Sequence, residues 1–221
     1  MSTSAPKRSK RRPQPFVPLL EQRPALGRRR EPRQRRSQEL ITVLLTATER
    51  LLLSEGLEGT TSQRIAELAG VSIGSLYQYF PTSLAVLRAL LERHLEEIGG
   101  EIAEAMGVAT DPADLVEKVL GAFLHAKQQR GALSLALRRI ESLIEGQLVE
   151  QEALRHLTTM FLARLQTLQP TGGPPAWQVE MRLAAIAGAV GHVLASAPER
   201  LADPDLKDAL VQMTLGVVMR T

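Results

Sequence analysis

Hydrophobic residues recur along most of the chain at spacings of three and four, which is the repeat of an amphipathic helix. In the first such segment four of them share one face: Leu40, Leu44, Ala47 and Leu51. Ser37, just before this stripe, is an N-cap residue type, and Gly56 is of the type that ends helices. The pattern therefore predicts a helix from Ser37 to Gly56.

The same periodicity predicts further helices almost to the end of the chain. Thr82 is suited to cap one of them, and Asp111 followed by Pro112 is a strong start signal for another. The predicted ranges are 83–106, 112–130, 132–143, 147–168, 176–197 and 205–220. Segments in which polar and apolar residues alternate are nearly absent. The sequence thus predicts an all-α fold.

Two short helices joined by a tight turn are predicted between residues 60 and 80. Thr61 can cap the first helix, Gly70 can form the left-handed turn that ends it, and Ser72 can cap the second. The residues of the first helix expected to face inward are Ile65, Ala66, Leu68 and Ala69. Such a pair of helices is the geometry that sets the second one into the major groove of DNA.

The second of these helices contains both tyrosines of the chain, Tyr77 and Tyr79. Leu76 and Phe80 lie four positions apart and are predicted to face inward. The residues left to face outward are Ile73, Ser75, Gln78 and Tyr79. Tyrosine hydroxyls suit phosphate oxygens or base edges. The alternative is an ordinary core role for the aromatic residues, which we adopt for Phe80.

Charge is distributed very unevenly along the chain. Residues 1–36 hold 12 basic and two acidic side chains, a net charge of +10, whereas the other 185 residues carry −7. With six prolines and few apolar residues, the basic segment buries too little surface to offset the entropy of ordering it. We expect a disordered basic arm over 1–36. It either reaches the minor groove or phosphates of DNA or is a nonspecific, solubilising tail.

The composition argues against catalytic, metal and membrane functions. There is no cysteine, and the four histidines, at least 31 residues apart, cannot form the paired ligands of a zinc-binding helix. Glycine-rich phosphate loops, serine elbows and local carboxylate pairs are absent from the sequence. No apolar run approaches the ~20 residues of a membrane span. We therefore expect a soluble, cytoplasmic protein that is not an enzyme, with no cofactor, no metal ion and no membrane contact.

The segment from Thr61 to Phe80 resembles the DNA-binding domain of the tetracycline-repressor (TetR) family of bacterial transcription regulators. That family's pattern is T-x-x-x-I-A-x-x-A-G-V-S-x-G-x-L-Y-x-Y-F, preceded by a helix that ends in glycine. This chain matches it at Gly56, Thr61, Ile65, Ala66, Ala69, Gly70, Val71, Ser72, Gly74, Leu76, Tyr77, Tyr79 and Phe80. The resemblance implies an N-terminal three-helix DNA-binding domain with a helix-turn-helix over 37–97. A C-terminal helical ligand-binding and dimerisation domain would follow over 98–221.

The resemblance also implies which residues touch DNA. It assigns sequence reading to Ile73, Gly74, Ser75, Tyr77, Gln78 and Tyr79, and backbone contacts to Thr61, Ser62 and Gln63. Gln78 is suited to a bidentate pair with adenine. The family usually has a phosphate-binding lysine where this sequence has Ser83. Our hypothesis is that the basic arm supplies part of the missing charge.

An apolar ligand cavity is expected among the helices of residues 98–221. Its candidate lining residues are Phe123, His125, Arg138, Met160, Phe161 and Trp177. Apolar residues in this pattern are more often core than pocket, and the polar pair His125 and Arg138 is included only because of the resemblance.

A dimer interface is expected in the last two helices, through which the resembled family pairs as a four-helix bundle. One candidate set is a strip of small residues: Ala184, Ala187, Gly188 and Gly191. The other is an apolar stripe on the final helix: Leu206, Leu210, Met213 and Val217. Packing within one chain needs the same stripes and is the alternative.

Taken together, these features predict a ligand-responsive transcriptional regulator, and in the first instance a repressor. It would bind an inverted-repeat operator in double-stranded DNA as a homodimer and be released by a small apolar effector. The alternative is a nonspecific nucleic-acid or acidic-surface binding protein driven by the basic arm, which would ignore DNA sequence.

Overall fold

The computed structural model describes residues 35–170 and 172–218, with side chains described for 37–170 and 172–216. All regular structure in these residues is helical, which confirms the predicted all-α fold. The helices are α1 Arg35–Gly59, α2 Ser62–Ala69, α3 Ile73–Tyr79, α4 Ser83–Gly107, α5 Pro112–Gln129, α6 Gly131–Arg139, α7 Gly146–Leu168, α8 Ala176–Ser196 and α9 Pro204–Val218. Short 3₁₀ helices follow α6 at Glu141–Leu143 and α8 at Pro198–Ala202. The predicted arm lies outside the described residues, apart from positions 35 and 36.

The helix starts follow the capping residues predicted from the sequence. Thr61 Oγ accepts a hydrogen bond from the Arg64 amide at 3.3 Å, and Ser72 Oγ accepts one from the Ser75 amide at 3.0 Å. Asp111 accepts two amide hydrogen bonds at 2.9 Å, directly before Pro112. These side chains accept hydrogen bonds from amides that have no partner inside their own helices. The capping residue and the few residues after it therefore determine where each of these helices begins.

The two glycines predicted to end helices both have a positive φ, and the predicted left-handed turn at Gly70 is confirmed. Gly70 has φ 68° and ψ 30° at the turn between α2 and α3. Gly56 has φ 70° and ψ −165°, which breaks the helical course of α1 before its last residues. An L side chain would be strained at either position. The predicted N-cap of α1 was wrong, because the helix begins at Arg35 and Ser37 lies inside its first turn.

The buried hydrophobic residues form two clusters that meet along α4. The first core joins α1, α2, α3 and the N-terminal half of α4, up to Leu91, with α6. The second core begins on α4 at Ile98 and joins it to α5, α7, α8 and α9. The division falls close to the predicted boundary at residue 97. However, α6 lies in the C-terminal half of the sequence and packs in the first core.

One inward prediction for α2 was wrong. Ile65 and Ala66 are buried against α1, but Leu68 is 48% exposed. Position 68 is well off the face that Ile65, Ala66 and Ala69 define at 100° per residue. Only one side of this eight-residue helix is covered, so Leu68 lies on its open side.

Among the described helices, α8 is the one whose length and composition would suit a membrane span. Glu180, Arg182 and His192 interrupt its apolar residues. A single helix of this kind is a weak indication of membrane insertion.

Candidate nucleic-acid interface and ligand cleft

The short helix α3 is held by the first core and presents its other side to solvent. Leu76 and Phe80 are completely buried, as predicted. The residues on the open side are Ile73, Gly74, Tyr77 and Gln78, which we call the reading surface. Ile73 is 40% exposed and Tyr77 is 43% exposed, so apolar and polar contacts are both available there. This is the arrangement that a helix needs to enter a groove of DNA.

Tyr79 is not part of the reading surface, and its predicted outward orientation was wrong. It is only 8% exposed, and its hydroxyl donates a hydrogen bond to Ser37 Oγ at 2.9 Å. The cause is helical spacing, since position 79 follows Leu76 by three and shares its face. The bond ties the end of α3 to the first turn of α1, where the basic arm joins the fold. Sequence reasoning missed this role of Ser37.

The polar residues that flank the reading surface are partly engaged within the chain. Ser75 Oγ lies 2.8 Å from Ser72 Oγ. At the start of α2, Ser62 is half-buried, and Gln63 is exposed and donates to Glu67 at 3.0 Å. Thr61 is exposed, although its hydroxyl serves the cap. The start of a helix offers free amides to phosphate, and the backbone contacts of these three residues stay a prediction.

The helix-turn-helix carries little free charge. Arg64 and Glu67 are the charged side chains between Thr60 and Phe80. Arg64 forms an ion pair with Glu55 at 2.6 Å, and Glu67 accepts the bond from Gln63. Long-range attraction to phosphate must therefore come from outside this segment.

A cleft of about 450 Å³ opens in the C-terminal half, between α4, α5, α6, α7 and α8. Its apolar wall is formed mainly by Leu95, Ile98, Ile102, Phe123, Leu135, Leu154 and Leu157. Polar and charged side chains also line it: Lys127, Ser134, Arg138, Glu141, Gln147, Glu150 and Gln151. The size and the mixture fit a small-molecule site.

The structure brings two of the six predicted pocket residues, Phe123 and Arg138, into this cleft. Met160 instead lines a neighbouring groove of about 720 Å³ between α4 and α7, beside Gly99 and Gly100. The other three predictions were wrong. Phe161 is buried in the second core, His125 is exposed on α5, and Trp177 is 59% exposed at the start of α8. Each lies on a face of its helix that turns away from the cleft.

The small-residue strip of α8 lines the same cleft. A Cβ at Gly191 would overlap Arg138 Nη1, so this glycine is covered from within the chain. Ala184, Ala187 and Gly188 are exposed along the cleft. Their role in an interface stays a prediction.

The apolar stripe of α9 is divided between core and surface. Leu210 is buried in the second core and Leu206 packs against it, so intrachain packing accounts for both. Met213 is 49% exposed, and the Val217 side chain lies outside the described residues. Arg182 donates a hydrogen bond to the carbonyl of Met213, which joins α8 to α9. Beside them, Trp177 and Met181 are 59% and 61% exposed.

A buried histidine lies behind the cleft. His94 on α4 is 2% exposed, and its Nε2 lies 2.8 Å from Ser134 Oγ on α6. Nδ1 is buried with no hydrogen-bond partner among the described residues. Burial, with smaller effects from Lys127, Arg130 and Arg93, lowers the pKa of His94 to about 4. The ring is therefore neutral at physiological pH.

This histidine makes stability depend on pH in a defined direction. The pKa of His94 is 6.5 in the unfolded chain and about 4 in the folded one, so the unfolded state takes up the proton first. Stability from this difference is complete above pH 6.5 and is lost as the pH falls towards 4, by about 3 kcal/mol. Urea unfolding of the wild type and of His94→Leu at several pH values isolates the effect. An identical pH dependence in the two proteins would contradict it.

The sequence of the helix-turn-helix region matches a known family. Residues 44–90 match the family described as "Bacterial regulatory proteins, tetR family". This range holds most of α1, all of α2 and α3, and the beginning of α4.

Two curated relatives share this part of the chain. The HTH-type transcriptional activator FasR of Mycolicibacterium smegmatis is 32% identical over 103 residues, which are 47% of this chain and 47% of FasR. The nucleoid occlusion factor SlmA of Actinobacillus pleuropneumoniae is 35% identical over 86 residues, 38% of this chain and 41% of SlmA. The chain thus spans less than half the length of these relatives.

Solved structures resemble a larger part of the fold. A TetR family transcription regulator from Marinobacter aquaeolei superimposes with a TM-score of 0.63 and 13% identity, over 83% of this chain and 97% of that protein. At this identity the likeness concerns the fold alone. It extends through the helices that form the cleft.

Proposed function

We propose that the chain is a DNA-binding transcriptional regulator of the TetR family, acting as a repressor in the cytoplasm, because its residues 44–90 match the model of that family. The observation that carries the proposal is the reading surface on α3, held outward by the buried Leu76 and Phe80. A homodimer would place two such helices in successive major grooves, about 34 to 36 Å apart, on an inverted-repeat operator.

The cleft and the reading surface are joined through α6, which supports control by a small-molecule effector. Leu133 and Leu137 pack in the first core, whereas Ser134 and Arg138 on the same helix line the cleft. A ligand that shifts α6 therefore also presses on the core that holds α3. Control would be a population shift, limited by the ligand's differential affinity for the two conformers.

Beyond α6, a polar contact joins α4 to the segment before α7. Arg88 donates to the Ile144 carbonyl and forms an ion pair with Glu145, both at 3.3 Å. Arg88 lies in the half of α4 that packs in the first core. A shift of the segment before α7 would therefore also act on α4 through Arg88, which is a second connection between the C-terminal half and the DNA-binding helices.

We propose that the homodimer forms through the exposed apolar surface of α8 and α9. Trp177, Met181 and Met213 are all about half exposed or more, and Arg182 ties the two helices together there. Trp177 and Met181 lie four positions apart on one face of α8, and exposed apolar residues that share a face can mark an interaction surface. The predicted strip residues Ala184, Ala187 and Gly188 adjoin this surface on α8.

Footprinting on the DNA around the protein's own gene tests the proposal. We expect protection of an inverted repeat, and loss of that protection when the effector is added. Binding that ignores sequence and survives Tyr77→Ala would instead support the nonspecific, arm-driven alternative. Protection that persists while transcription rises would replace repression by activation.

Gln78 is the exposed side chain best suited to read one base. Replacing it with alanine should reduce discrimination at one base pair in each half-site by about 1 to 3 kcal/mol, because its amide can pair with adenine in a bidentate manner. Affinity for operators altered one base at a time provides the measurement. Equal losses on specific and random DNA would reduce Gln78 to a backbone contact.

A further inference from the structure

The cleft contains two cations that form no ion pair with any carboxylate of the described residues. These are Lys127 on α5 and Arg138 on α6. Lys127 Nζ lies 3.3 Å from Ser134 Oγ and 5.7 Å from the centroid of the Phe123 ring. A hydroxyl and an aromatic face compensate an ammonium only partly, so the group retains capacity to bind an anion.

The position of Lys127 is fixed from behind by buried groups. Ser134 Oγ, which accepts from the lysine, also lies 2.8 Å from the Nε2 atom of the buried His94. Because its pKa is lowered to about 4, His94 is neutral at physiological pH and places no positive charge behind Ser134. Removal from water lowers the pKa of Lys127 as well, while the charge of Glu150 opposes that shift and the charge of Arg138 adds to it. An anion beside its ammonium would offset that loss of hydration.

The position of Arg138 depends on a glycine in the facing helix. Its guanidinium lies against α8 at Gly191, in space that a Cβ atom would occupy. A guanidinium offers several donors in a planar fork that matches a carboxylate. The absence of a side chain at position 191 therefore lets this donor reach the cleft.

The rest of the cleft lining includes an apolar wall and two carboxylates. Leu95, Ile98, Ile102 and Leu157 form the wall. Glu141, in the 3₁₀ helix after α6, and Glu150, on α7, are these carboxylates. Burial and the charge of Glu141 raise the pKa of Glu150, whereas the charges of Lys127 and Arg138 oppose that shift. Neither carboxylate lies within ion-pair distance of Lys127 or Arg138, so both cations keep donors for an anion. A cationic amphiphile, which would bind the carboxylates instead, is the natural competitor.

We propose that the cleft binds an amphipathic carboxylate. Its head group would accept charge-assisted hydrogen bonds from Lys127 and Arg138, and its apolar body would lie along the wall of α4 and α7. As the identity of the effector, this inference rests on the proposed function. The binding itself is a property of the free protein and is tested without DNA.

Calorimetry with three ligands of equal chain length distinguishes the head groups. Decanoate, decan-1-ol and decylamine are titrated separately into the full-length protein, below their aggregation concentrations. We expect decanoate to bind at least about tenfold more tightly than the alcohol, from one or two charged hydrogen bonds. Equal binding of acid and alcohol, or tightest binding of the amine, overturns the proposal. This comparison needs no variant.

Substitutions then identify the groups that bind the carboxylate. Lys127→Met and Arg138→Met should each weaken decanoate by about tenfold to a hundredfold and leave decan-1-ol unchanged. Gly191→Ala should weaken decanoate less than Arg138→Met does, because the guanidinium must shift away from the new Cβ atom but keeps its charge. The matched control is Arg139→Met, which removes the same charge from the next, exposed position of α6 and does not line the cleft. Losses that are equal for both ligands, or absent, contradict the assignment.

The failure of this inference and that of the proposed function are distinguishable. If decanoate binds through Lys127 and Arg138 but footprinting finds no operator, the carboxylate site is supported and the regulatory function is overturned. If an operator is protected but the cleft binds decanoate and decan-1-ol equally, the regulatory function is supported and the carboxylate site is overturned.

Discussion

Phe80→Ala is expected to destabilise the DNA-binding helices by about 3 to 5 kcal/mol, the usual cost of removing a buried phenylalanine ring. Phe80 is completely buried at the end of α3, where it packs with residues of α1, α2 and α4. Removing the ring leaves a cavity between these helices, and a domain of ordinary stability has only about 5 to 15 kcal/mol in total. Urea unfolding followed by circular dichroism provides the measurement.

Tyr77→Ala, three positions earlier on the same helix, is the matched control. Tyr77 is 43% exposed, so its removal should change the free energy of unfolding by less than about 1 kcal/mol while weakening operator binding. Phe80→Ala should lose DNA binding only to the extent that it unfolds. A stable Phe80→Ala protein, or a Tyr77→Ala protein that unfolds as readily, would show that the inward and outward sides of α3 had been confused.

Features decided within a few neighbouring residues were predictable from the sequence. The caps at Thr61, Ser72, Thr82 and Asp111 and the left-handed Gly70 depend only on local hydrogen bonds and backbone sterics, and each was predicted correctly. The orientation of Leu76 and Phe80 follows from the helical repeat alone. This local information was sufficient to find the helix-turn-helix and the all-α fold.

The orientation of Tyr79 shows where residue chemistry misled. A hydroxyl suggested a polar contact with DNA, but the spacing of three from Leu76 placed the ring inward, and Ser37 satisfies the hydroxyl from 42 positions away. The helical repeat alone was sufficient to predict the inward orientation of Tyr79. Its partner Ser37 could not be predicted, because the contact depends on how α1 and α3 are placed in the fold.

The cleft depended on contacts that no single segment contains. Lys127, Arg138 and Gly191 come from three helices, and none of them is unusual in its own sequence context. Conversely, His125, Phe161 and Trp177 have suitable chemistry but face away. A pocket is defined by which faces of several helices converge, and periodicity within one helix does not determine that.

Converting the apolar surface of α8 and α9 to a charged one should abolish strong operator binding. In the double variant Met181→Asp and Met213→Asp, two exposed apolar residues become anions, so a symmetric interface formed there would have to bury the new charges of both protomers. We expect a folded monomer. Because a dimer gains from the effective concentration of its second DNA-binding helix, operator affinity should fall by about 10² to 10⁴-fold.

Sedimentation and operator titration of the same preparations test this expectation together. The control is Leu143→Asp, which places an anion at another exposed apolar residue, in the 3₁₀ helix after α6. It should leave both the dimer and the operator affinity unchanged. A double variant that remains dimeric would move the interface away from Met181 and Met213. A monomer that binds the full operator as tightly as the wild type would remove the need for two reading helices, because each half-site would then be read alone.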